Sequence, residues 1–143
     1  MKSKLIHDGV EKTYALVFAV DDEPGSLLLD FAREHKLSGT RICGIGGFRE
    51  VKLGYYDIEK KDYTPVWIRE QVEVVSFIGN LSIFEGKPKF HIHVAVGKRD
   101  GNTQGGHFLE GRVRPTMELM LVESPTPLSR SNDASTGLPL WNL

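Results

Sequence analysis

KFHIHVAVGKRDGNTQGGHFLEGRVRPTME, residues Lys89 to Glu118, is the stretch on which the reading of this chain turns. It carries three of the five histidines. Asp100-Gly101-Asn102 sits between two apolar alternating runs, and Gly and Asn accept the positive φ that a strand-to-strand turn needs. Before the turn, His91-Ile-His-Val-Ala-Val96 has strand composition. Side chains of a strand alternate between faces, so His91 and His93 share one face while Ile92, Val94 and Val96 share the other. After the turn, the run from His107 to Val113 is the returning strand. Antiparallel pairing of the two brings His107 to the His91/His93 pair, with three imidazoles around one point.

Outward from this hairpin, size and composition set the class. A chain of 143 residues is one domain that buries roughly 70% of its unfolded-chain surface without a covalent staple. A net charge of −1 provides no long-range attraction to nucleic acid or anionic membrane, so such a partner has to be met by a local basic patch. One cysteine, Cys43, allows no internal disulfide and no thiolate metal site, and its apolar glycine-rich surroundings predict a small buried residue. MKSKLIHDGVEK lacks the apolar segment of a signal peptide, and no apolar run approaches the ~20 residues of a membrane span. The expectation is a cytoplasmic protein without a membrane partner.

Along the chain, Lys12 to Val20 predicts a buried strand. Asp21-Asp-Glu-Pro24 opens a helix, because acidic groups suit the positive end of the helix dipole and Pro is tolerated in the first turn. Leu27, Leu28, Phe31 and Ala32 then recur at helical spacing until Ser38-Gly39. From Thr40 the pattern is strands: Arg41–Phe48, Val51–Asp57, an edge run Tyr63–Arg69 marked by Pro65, a strand pair or bent strand over Glu70–Ile83 broken at Gly79-Asn80, the histidine hairpin, and Thr116–Glu123. Short turns between them imply antiparallel pairing. The predicted class is α+β: a single domain with a mainly antiparallel sheet of about seven strands and one principal helix. Residues 1–123 form that domain. Residues 124–143, rich in Pro, Ser and Asn but closing on Leu138-Pro-Leu-Trp141, are expected to be an extended arm that docks on the domain or a neighbouring subunit.

Gly79-Asn80, Gly86-Lys-Pro88, His91-Ile-His93, Gly105-Gly-His107, Gly111 and Pro115-Thr-Met-Glu118, in that order, resemble the PPC domain, the plant and prokaryote conserved domain. The likeness extends to Gly44-Ile-Gly46, Leu53-Gly-Tyr-Tyr56 and Thr136-Gly-Leu138, and so covers nearly the whole chain. It implies a homotrimeric α+β domain. Prokaryotic members stand alone and are generally described as predicted DNA-binding proteins, while in plants the domain follows AT-hook motifs and mediates protein-protein contact in nuclear regulators. It also implies that His91, His93 and His107 hold zinc. No AT-hook is present here: Gly111-Arg-Val-Arg-Pro115 has Val113 where the hook needs glycine.

The residues themselves support two readings of the histidines. Neutral imidazole suits zinc, and two strand histidines at i and i+2 stand about 6.6–7 Å apart at the backbone, which their side chains can close over one ion. A hydrogen-bonded structural cluster is the alternative. Three histidines with a fourth position open is also the donor set of catalytic zinc, so a zinc-dependent hydrolase or hydratase-like enzyme acting on a small molecule stands beside the DNA-binding reading. Glu110 and Glu118 are candidates to orient an imidazole or act as a base. The nucleic-acid candidates are Lys87, Lys89, Lys98 and Arg99, joined by Arg112 and Arg114.

Overall fold

The computed structural model describes residues 1–143. It contains one helix and nine strands: β1 Lys2–Asp8, β2 Lys12–Phe18, α1 Pro24–Glu34, β3 Gly39–Asp57, β4 Asp62–Ile68, β5 Val72–Phe84, β6 Lys87–Gly97, β7 Thr103–Glu123, β8 Ser129–Asn132 and β9 Pro139–Trp141. The class is α+β, and all pairings are antiparallel except β5 with β8. β3 pairs with β5 and β7, and β6 pairs with the same two strands, so these four strands close on one another. Phe48, Phe77, Val94 and Val113 are buried on the inner side, in one apolar cluster with Leu28 and Phe31 of α1.

The helix begins as its sequence dictates. Glu23 caps it, accepting from Gly25 N–H at 3.1 Å and Ser26 N–H at 2.7 Å, and Pro24 occupies the first turn, where a missing N–H costs nothing. It ends at Glu34, earlier than Ser38-Gly39. Lys36 takes φ of 55°, and the chain turns so that Leu37 N–H reaches Ala32 O at 2.9 Å and the Leu37 side chain is buried. Glu123 then ties this corner to the sheet by accepting from Ser38 N–H and the Thr40 hydroxyl.

Several strand boundaries differ from expectation. Arg41–Phe48 and Val51–Asp57 are one strand, β3, bent at irregularities in its register near Gly46 and Phe48. The returning histidine strand and Thr116–Glu123 are likewise one strand, β7. β5 runs unbroken through Gly79-Asn80, because Gly79 is needed for close approach: a Cβ there would overlap the His91 carbonyl on β6. β1 was not signalled, since every one of its residues is exposed and no buried alternation marks it. Cys43 is exposed rather than buried. Its neighbour Ile42 takes the inner face, and strand alternation sends Cys43 outward.

Within residues 124–143, Ser129 and Arg130 of β8 pair with Ile83 and Phe84 of β5, and β9 folds back on β8. No helix is long and apolar enough to cross a membrane.

Candidate metal centre

The β6–β7 register decides the site. His93 lies directly opposite His107, followed by Val94 opposite Gly106 and Ala95 opposite Gly105. Cross-strand partners share a face, so His107 joins His91 and His93 on the outer side of the sheet. Ring centroids are 5.1 Å apart for His91/His93, 5.4 Å for His91/His107 and 5.5 Å for His93/His107. The two Nε2 atoms of His91 and His93 approach to 3.1 Å, and one ring nitrogen from each of the three histidines lies within 4.8 Å of the others. Two nitrogens bound tetrahedrally to one zinc at 2.0–2.1 Å stand about 3.3 Å apart. The donor set therefore fits such an ion in its chemistry, with the His91/His93 pair near that spacing and His107 within 4.8 Å of both.

The rings are held from behind. Tyr63 of β4 stacks on His107 at 4.5 Å and 24°, and it can do so because the residue opposite His107 on β3 is glycine: a Cβ on Gly54 would stand 2.7 Å from the Tyr63 ring. Tyr56 packs edge-on against Tyr63 and donates its hydroxyl to Thr136 O at 2.6 Å. Arg130 of β8 donates to Asn80 Oδ1 beside His91.

Burial sets the protonation of the cluster. Desolvation, reinforced by His91, His93 and then Lys89, pushes the His107 imidazole down to about 4. Desolvation also lowers His91, with His93 and Arg130 adding to the effect. Both rings are neutral at pH 7 and present lone pairs, the state a metal ligand requires. Nδ1 of His107 is buried without a hydrogen-bond partner.

Other expected residues lie elsewhere. Glu110 lines a separate cleft with Glu23, Glu50 and Arg112, and Glu118 is exposed opposite Val17 and Ile45, so neither carboxylate reaches the imidazoles. The four basic residues do not form one patch. Lys87 and Lys89 begin β6 whereas Lys98 and Arg99 follow its end, roughly 30 Å away at a strand's rise per residue, and Lys98 is paired with Glu70 at 2.7 Å. Tyr63 and Arg130 surround the site but carried no sequence signal for it, since each comes from a strand distant in sequence, whereas Asn80, opposite His91, belongs to the Gly79-Asn80 motif.

A family model for the Plants and Prokaryotes Conserved (PCC) domain matches residues 7–125. The chain belongs to this family. As a PCC domain it is similar to a solved metal-containing protein of Archaeoglobus fulgidus, with 33% identity, a TM-score of 0.86, and coverage of 98% of this chain and 99% of that one. A plant- and prokaryote-conserved (PPC) protein of Pyrococcus horikoshii is similar at 30% identity and a TM-score of 0.86, covering 99% of this chain and 95% of that one. A Ralstonia eutropha chain, described only as a DNA-binding candidate, matches at 27% identity and a TM-score of 0.84 over 91% and 90% of the two chains. This PCC domain is also 30% identical over 110 residues to the bifunctional protein GlmU of Synechococcus sp. (strain JA-3-3Ab), covering 75% of this chain. It spans only 16% of the length of that curated relative.

The depressed His107 pKa has a consequence for stability. Between about 4 and 6.5 the folded chain binds fewer protons at this ring than the unfolded chain, so its contribution is intact above 6.5 and is lost as pH falls toward 4. In metal-free protein, the Tm of wild type should therefore fall more over this range than that of His107→Phe. Parallel Tm curves would contradict the assignment.

Proposed function

We propose that this chain is a homotrimeric, metal-binding PCC domain in which His91, His93 and His107 hold zinc, and that it acts as a DNA-binding, regulatory protein. The observation that carries the metal reading is the convergence of three imidazoles, two of them held neutral by burial, with one nitrogen of His107 unpartnered. The metal-containing relative from Archaeoglobus fulgidus supports it. Three nitrogen donors would leave one tetrahedral position for water or an added ligand, and zinc there would supply Lewis acidity.

The outer face supports assembly. Met120 and Ile78 both flank Cys43 across the strands, and Ile78 in turn lies opposite His93. With Ile45 and Val75, these side chains give the face an exposed apolar stripe, Ile45 being 60% and Ile78 57% exposed. An apolar stripe on a sheet face suits burial against copies of the same chain, and three is the number that the resemblance to this family implies. In a trimer, the Lys87/Lys89 pair at the start of β6 would recur around the axis and raise the potential at that end of each protomer despite the near-neutral charge. DNA is the partner suggested by the Ralstonia relative. Residues 124–143 are the arm of each protomer.

A second reading, a zinc-dependent enzyme of hydrolase or hydratase type, is favoured by one observation: a cleft opens on His91 and His107.

Elemental analysis of untagged protein should find about one zinc per chain, and His93→Ala should lose it while keeping the wild-type circular dichroism. Absence of metal from wild type even after incubation with zinc would refute the centre. Light scattering should report three times the chain mass, and Ile78→Asp should reduce it to that of one chain. Duplex DNA should be retarded at about 0.15 M salt, with log affinity falling linearly with log salt. No retardation at low salt would remove DNA as a partner.

A further inference from the structure

Beside the histidines lies a cleft of about 120 Å³. Its floor is His91 and His107, Phe90 and Leu140 give it apolar wall, and its polar side chains include Lys89 and Arg130. No acidic side chain lines it, and neither Lys89 nor Arg130 has a carboxylate within ion-pair distance. Arg130 is only 9% exposed. Its Nη1 donates to Pro139 O at 2.8 Å and its Nη2 to Asn80 Oδ1, both neutral acceptors, while Nε is buried without a partner. A guanidinium this buried ordinarily has a counter-ion, because desolvating an unpaired charge is expensive. Besides those two acceptors the guanidinium meets the Trp141 ring, 5.7 Å away, and no side chain of the cleft supplies an anion.

We propose that this cleft is a binding site for a short-chain carboxylate. The carboxylate group supplies the charge that Lys89 and Arg130 lack, and the carbon chain lies against Phe90 and Leu140. Size limits the ligand: a cavity of roughly 150 Å³ accommodates benzene, so about 120 Å³ suits about five or six non-hydrogen atoms, the size of pyruvate or butyrate. A nucleotide is far too large. Inorganic phosphate satisfies the charge but leaves the apolar walls unused. The site goes beyond the metal reading and stands on the two cations and the walls alone.

The test is calorimetric titration of the full chain with butyrate, pyruvate and inorganic phosphate in separate arms. Each arm is run on zinc-loaded and on chelator-treated protein, with metal content measured on the same samples. One carboxylate per chain should bind, more tightly than phosphate, and Lys89→Gln should weaken it by roughly tenfold or more, as loss of a charge-assisted contact does. Lys89→Arg should restore binding. Lys89 is exposed and makes no ion pair, so this variant keeps its fold; Arg130→Gln, which also loosens the bracing of Pro139 and Asn80, is a supporting measurement. Phosphate preferred over both carboxylates, or carboxylate affinity unchanged in Lys89→Gln, overturns the proposal. Zinc retained without carboxylate binding overturns it while leaving the metal centre standing. Carboxylate binding to a chain that holds no zinc upholds it and removes the metal centre.

Discussion

One register governs this molecule: His93 of β6 opposite His107 of β7. Side chains on a strand have a period of two, so a slip of one residue would carry His107 to the inner side and Phe108 to the outer. The core opposes such a slip. Phe108 packs against both Phe48 and Phe77, rings contributed by the strands that close the sheet, and Val94 and Val96 are buried beside them. The apolar interior thus fixes, from one side of the sheet, where three imidazoles meet on the other.

How far the sequence could be read follows from which interactions are local. Alternation in His91–Val96 and the Asp100-Gly-Asn turn are local, so the hairpin, its faces and the histidine cluster were legible. So was the helix start, where Glu23 and Pro24 act within one turn. The helix end was not, because Lys36 in a left-handed conformation is no usual terminator and Leu37 is pulled inward by the core. Glycines at 44, 46, 47 and 79 look like breaks in a one-dimensional pattern. In three dimensions they permit close strand crossing within long bent strands, which is why β3 joins two expected strands and β5 runs through Gly79-Asn80. Arg130 and Tyr63 reach the site through pairing across many residues, and nothing near them in sequence marks that destination.

The outer face joins two features that the chain order keeps apart. Cys43 flanked by Met120 and Ile78 extends the exposed apolar stripe toward His93. A neighbouring copy seated on that stripe would come to rest at the border of the imidazole cluster. On this scaffold the exposed apolar stripe and the imidazole cluster are therefore neighbours by construction.

The absent methyl at Gly54 has a reach beyond its own strand. Tyr63 fills that vacancy and presses flat on His107. A ring already clamped would surrender little rotational freedom to an ion bound there, so part of any such affinity would be stored beforehand as lost entropy. Preorganisation of this centre is thus written partly in atoms that never touch a ligand, and partly in one that was left out.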